Sequence, residues 1–263
     1  MTIPVTKTES SAVLLLSHGS RDPRAEYVTR ELVAAVAART GMTVRASYLD
    51  FGTPTPAVAL RGLATEGFSS VRIVPLLFTP GYHQTHDVPS ALASSGVVEG
   101  SGVVEGSGVV GMIRVSVAPP LLCAGRRERD LLLRALAERL VQARSGTDGR
   151  VDGLVLASAG SSSREARSCV ENLARDLERS HGIPVETAFA SSTCIGTPAQ
   201  ALEALSDKGV HSPAVASLFV APGRLLDSVA AACPDLPVAD PLGVSAAFVE
   251  LIVAQSRVLS RTV

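Results

Sequence analysis

Residues 12–40 read AVLLLSHGSRDPRAEYVTRELVAAVAART. Ala12–Leu16 is a continuous apolar run of strand length. Continuous rather than alternating hydrophobicity marks a strand covered on both faces, as in a parallel α/β sheet. SHGSRDP is rich in turn residues. Beyond it Val28, Leu32, Ala35 and Val36 share one helical face, and Gly41 ends the helix. The alternation continues outward. MTVRASYL predicts a second strand ending at Asp50, and TPTPAVALRGLATEG predicts a helix opened by proline and closed by Gly67. VRIVPLLF and the VSVA after Arg114 predict strands three and four, and RRERDLLLRALAERLVQAR predicts a long helix. Strands alternating with helices mean βαβ units and a parallel sheet.

The pattern then repeats. LLLSHGSR (Leu14–Arg21) returns as LVLASAGSS (Leu154–Ser162), PAVALRGLATEG (Pro56–Gly67) as PAQALEALSDKG (Pro198–Gly209), and LLFTPG (Leu76–Gly81) as LFVAPG (Leu218–Gly223). VAPPL (Val117–Leu121) matches VADPL (Val238–Leu242) at a shorter offset, because the first copy carries the extra tract SGVVEGSGVVEGSGVVG between Ser95 and Gly111. A Gly/Ser-spaced tract of this kind is expected to be a flexible surface insertion. The expected fold is therefore two tandem flavodoxin-like α/β/α units, each a small parallel sheet of about four strands flanked by helices. The expected domains are 1–145 and 150–263, joined near Ser145–Arg150.

Composition excludes several classes of function. With 24 Lys and Arg against 25 Asp and Glu, the net charge of −1 argues against nucleic acid or a membrane surface as partner. Aromatics are few and there is no Trp, so stacking platforms for single strands are not expected. Cys123, Cys169, Cys194 and Cys233 are scattered without a CxxC pair, and buried thiols are expected rather than a zinc or iron–sulfur site. The one apolar run near the N-terminus is too short for a signal segment or a membrane span, so a cytoplasmic location is expected. No GxxxxGK[ST] or GxGxxG follows a strand, so no nucleotide is expected.

The repeat acts as an internal control on the histidines. His18 falls on Ala159 of the second copy, and His83 on Leu225, whereas Pro56, Gly67, Pro80 and Gly81 return as themselves. Histidines that served the fold would be needed twice. In an open parallel sheet, ligands bind outside the carboxyl ends of the strands where strand order reverses. A 2-1-3-4 order places that reversal between the strands that precede His18 and His83, with Asp50 ending the neighbouring strand. Two imidazoles and a carboxylate in one crevice suit a divalent transition metal with open coordination positions. His86 either adds a ligand, caps a helix or is exposed. His181 and His211 belong to a helix end and a loop.

LLLSHGSRDPR, ASYLDFGTPTP and RIVPLLFTPGYHQTHDVP together resemble the class II tetrapyrrole chelatases, in particular the sirohydrochlorin chelatases of the SirB and CbiX types. The resemblance covers nearly the whole chain, since longer members are also tandem duplications with the site in the first half. It implies insertion of Co²⁺ or Fe²⁺ into sirohydrochlorin without nucleotide. It makes His18 and His83 the catalytic pair and His18, His83 and Asp50 the metal ligands, although relatives often carry a glutamate where Asp50 stands. Ser20, Arg21, Gly81 and Tyr82 become substrate-binding residues. Sirohydrochlorin carries eight carboxylates, for which Arg21, Arg24 and the backbone N–H groups opening the first helix are candidate donors. The metal is thus a substrate rather than a resident cofactor, sirohydrochlorin is the partner, and a monomer with its two halves packed together is expected. The competing classes are a metal-assisted hydrolase on the same fold and a non-catalytic metal or tetrapyrrole carrier.

Overall fold

The computed structural model describes residues 10–80, 90, 97–99, 107–110, 113–144, 150–191 and 196–257. The first copy contains β1 (Ser11–Ser17), α1 (Pro23–Thr40), β2 (Thr43–Tyr48), α2 (Pro56–Thr65), β3 (Ser70–Pro75), β4 (Val97–Glu99), β5 (Ser107–Val110), β6 (Ile113–Val117) and α3 (Arg126–Ala143). The second contains β7 (Gly153–Ser158), α4 (Arg164–His181), β8 (Val185–Phe189), α5 (Pro198–Asp207), β9 (Pro213–Leu218), α6 (Arg224–Ala232) and α7 (Ala246–Ser256).

Local chemistry sets the boundaries. Asp22 caps α1, accepting from the Arg24 N–H, and Pro23 opens the helix with its fixed φ. At the other end Gly41 sits at φ +68°, the left-handed turn that closes a helix. In β1, Val13 and Leu15 face one apolar cluster while Ala12, Leu14 and Leu16 face another, so both sides of the strand are buried.

The first sheet runs in the order β2-β1-β3-β6-β5-β4, with its first four strands parallel. The strand order reverses at β1, between β2 and β3, as the sequence pattern predicted. The second sheet runs β8-β7-β9, again parallel about its first strand. Among the described residues it has three strands, within the expectation of about four. The stretch equivalent to β6 makes only a bridge between Val215 and Val238. Pro237 and Pro241 flank it, and a proline has no N–H with which to extend a ladder. The SGVVEG tract departs from expectation. Two of its segments, β4 and β5, extend the first sheet as antiparallel strands on the edge of β6. Paired valines favour extended backbone, and an open sheet edge offers unpaired donors and acceptors.

The two copies share their largest apolar cluster. It joins Val13, Leu15 and Val74 of the first sheet to Leu154, Leu156 and Leu218 of the second through α1, α3, α4 and α7. The closing helices are exchanged: α3 packs on β9 of the second sheet, and α7 on β3 and α1 of the first. Phe248 of α7 is completely buried in this layer. Smaller clusters seat α2 on the outer face of the first sheet and α5 and α6 on the outer face of the second. Cys233 is buried as expected and Cys169 partly so, whereas Cys123 is exposed, lying in the turn after β6 rather than in a layer. Cys194 lies outside the described residues.

Candidate functional site

The exits of β1 and β2 are locked together by backbone. The Leu49 N–H donates to Ser17 O at 3.0 Å and the Asp50 N–H to His18 O at 2.8 Å. Between them Gly19 lies at φ +93°, and a Cβ there would fall 1.7 Å from Asp50 O, so only glycine lets the two loops lie this close. His18 and Asp50, distant in sequence, are therefore held at one mouth, as the switch-point argument required. In the tautomer that donates from His18 Nδ1 to Gly19 O, 3.4 Å away, Nε2 keeps its lone pair. The Asp50 carboxylate accepts from the Phe51 N–H at 3.0 Å and is exposed.

Of the other expected site residues, Ser20 and Arg21 are at this mouth. Ser20 Oγ accepts from the Asp22 N–H at 3.0 Å, which shapes the turn into α1. Gly81, Tyr82, His83 and His86 lie outside the described residues. Among the described residues no three His, Cys, Asp or Glu side chains gather as a metal cluster. His181 ends α4, and the His211 N–H donates to the Asp152 carboxylate at 3.0 Å; both are scaffold positions.

Two expected anion donors are otherwise engaged. The Asp22 carboxylate occupies the N-terminus of α1, accepting the Arg24 N–H at 2.9 Å. A bare helix terminus for a substrate carboxylate is therefore not what the chain provides there. The Arg24 guanidinium grips Asp22 and also reaches Asp227 of α6 at 2.6 Å, which clasps the two copies across the mouth. The paired guanidinium holds Asp22 below the ordinary carboxylate range, and the two carboxylates push Arg24 upward.

Sequence reasoning missed two further residues. Tyr48 ends β2 beneath a small cleft lined by Ser17, Ser20, Thr29, Phe51 and Gly52. Its phenol is raised by burial and, secondarily, by the charge of Glu26. Phe51 stands at φ +47°, the one non-glycine with positive φ among the described residues. This region costs an L-residue about 1–2 kcal/mol. The residue is 50% exposed, and the Arg21 guanidinium lies 4.6 Å from the ring centroid. The available signal was compositional: an aromatic placed beside a turn, in a chain with only six Phe and three Tyr.

Comparison with known proteins places these features in context. The sequence profile of the CbiX family matches residues 12–143 and again 153–258. A sirohydrochlorin cobaltochelatase of Methanosarcina acetivorans is 30% identical over 87 residues, 33% of this chain and 67% of that protein. SirB from Bacillus subtilis with Fe³⁺ superposes at a TM-score of 0.70 with 18% identity, covering 94% of both chains. The sirohydrochlorin chelatase SirB of Bacillus subtilis subspecies spizizenii in complex with cobalt superposes at 0.68 with 19% identity, again covering 94% of both. These two structural likenesses concern the fold.

Proposed function

The chain belongs to the CbiX family, and from that premise we propose that it inserts Co²⁺ or Fe²⁺ into sirohydrochlorin, as a lyase that consumes no nucleotide. The observation that carries the reading is the mouth of the first copy. A family match runs over both halves, yet His18 and Asp50 stand only in the first.

Insertion removes two pyrrole N–H protons and places a dication among four nitrogens. The protein must hold a metal loosely, strip part of its water and accept protons. Imidazole does both near neutrality, since its ordinary pKa is about 6.5. In this reading His18 and His83 present the metal and take the protons, and Asp50 ligates directly or through a water. Two or three ligands release a metal that four would retain. Ser20, Arg21, Gly81 and Tyr82 contact the tetrapyrrole. The units 1–145 and 150–263 act as one body, with the site in the first, and the chain works as a monomer. Among the described residues no helix is long and apolar enough to cross a membrane.

Sirohydrochlorin mixed with the protein and Co²⁺ or Fe²⁺ should convert its absorption spectrum faster than with metal alone. No acceleration over the metal-only control, with either ion, would overturn the assignment. Hydrolysis of an ester instead, with metal retained, would favour the hydrolase.

A further inference from the structure

We propose that Phe51 is the platform on which one face of the substrate macrocycle stacks, with Arg21 as the cap that leaves the ring to take a rim carboxylate. The proposal rests on the reading of the site given above, and it adds a binding surface that neither the histidines nor the metal supplies.

Phe51 carries two costs that its contact with Arg21 and its place at the cleft offset only in part. Its backbone is left-handed and the residue is half exposed. Strain that persists at an exposed side chain points to use of that side chain. The strain also has a definite direction. The Asp50 N–H is fixed to His18 O at 2.8 Å, the Phe51 N–H is turned back to the Asp50 carboxylate at 3.0 Å, and Gly52 lies so close to Tyr48 that a Cβ would sit 2.7 Å from its ring. The loop is wedged against the strand end, and its backbone bonds place the aromatic residue next to His18 and Asp50, two of the proposed metal-site residues.

The cap completes the chemistry. A guanidinium over a π-face is a placeholder of matched polarity and modest strength at an exposed site. A flat conjugated ring is a better partner for that face, and a carboxylate is a better partner for the guanidinium. Sirohydrochlorin brings both at once. The second copy again serves as control. The Ser191 N–H donates to Ala159 O at 3.0 Å as the Asp50 N–H does to His18 O. In that register the residue after Ser191 is Ser192, and Arg21 falls on Ser162. The copy without the histidine also lacks ring and cap.

The test separates a binding surface from a structural one. Phe51→Gly suits a left-handed backbone and should hold or raise Tm, while Phe51→Leu keeps apolar bulk without a π-face. Both should weaken binding of metal-free sirohydrochlorin, read by equilibrium titration, by about threefold to tenfold. KM for the tetrapyrrole should rise equally, with kcat and the metal dependence little changed. Phe51→Trp should restore binding, and in a chain without Trp its emission should be quenched on titration. A lower Tm in Phe51→Gly, or unchanged tetrapyrrole affinity in both the Gly and Leu variants, would overturn the platform. Wild-type protein that neither binds nor metallates sirohydrochlorin would instead overturn the function on which it rests.

Discussion

The mouths of the two copies share a backbone and differ in chemistry. Leu49 N–H to Ser17 O has its counterpart in Ala190 N–H to Ser158 O at 2.9 Å. The turn built on Ser20 Oγ is rebuilt on Ser161 Oγ, which accepts from the Ser163 N–H at 3.1 Å. Gly19 at φ +93° is matched by Gly160 at +89°. On this common frame His18, Arg21 and Asp50 stand in the first copy, and Ala159, Ser162 and Ser191 in the second. Packing and backbone bonding need both frames. Nothing in the packing needs the imidazole twice. On the function proposed above, the tandem repeat thus sets residues that both copies need for the fold apart from residues that only the first needs for its chemistry.

The largest effect expected is on that difference. His18→Ala should lower kcat/KM for metal insertion by about 100-fold or more, the usual scale for removing an acid–base group, with Tm unchanged. Ala159→His, which places an imidazole on the equivalent frame, should leave the rate as it is. Substantial activity in the first variant, or a clear change in the second, would break the asymmetry.

A second test concerns what the copies share. Because α7 of the second copy lies on the first sheet, Phe248→Ala should destabilise the whole chain by about 3–5 kcal/mol, the scale of a buried phenylalanine cavity. Thermal unfolding should stay a single transition, since the exchanged helices make one cluster of both halves. Two separated transitions would show that the halves fold independently.

The parallel sheets, their strand order and the helices between them were legible because the central strands β1 and β7 carry unbroken apolar runs, VLLL and LVLA, and proline, aspartate or glycine marks the ends of α1 and α2. The convergence of His18 with Asp50 was legible for the same reason: strand order alone brings those exits together. The exchange of α3 and α7 was not, because an apolar helical face does not state which sheet it will cover. Nor was the engagement of Arg24, since Asp227 lies 203 residues away. The SGVVEG tract was misread because its Gly and Ser spacing suggests a loop, while its valines find a free sheet edge. Phe51 was passed over because a left-handed φ at a bulky residue is no part of any periodicity.

A smaller effect is expected at the clasp between the mouths. The Arg24–Asp227 pair is exposed on both sides, and such pairs contribute little. Its influence on a polyanionic substrate should be electrostatic. Asp227→Asn should lower KM for sirohydrochlorin by about twofold to fivefold at low salt, an effect that fades as the Debye length shrinks. Arg24→Ala should raise KM over the same range. A change that persists at high salt would mean the pair acts by positioning rather than by charge.

The smallest effect sits at the entries of β1 and β7, where the copies solve one problem by different means. In the first copy the Ser69 and Ser70 N–H groups donate to the Ser10 carbonyl at 2.9 and 3.2 Å. In the second the equivalent N–H groups, of His211 and Ser212, donate to the Asp152 carboxylate at 3.0 and 2.7 Å. A carbonyl does not titrate, but a carboxylate does. The two N–H bonds hold Asp152 below its ordinary value of 3.8. The folded pKa is the depressed one, so the stabilisation is complete above the unfolded value and disappears as pH falls through the folded value. Asp152→Asn should therefore lower Tm slightly at pH 7, by the same amount down to about pH 5, and by progressively less below about pH 4. Amide exchange should report the same asymmetry in wild-type protein, with protection at His211 and Ser212 weakening in acid relative to Ser69 and Ser70. A Tm difference that stays constant through the acid range would mean that the carboxylate's charge contributes nothing to the joint.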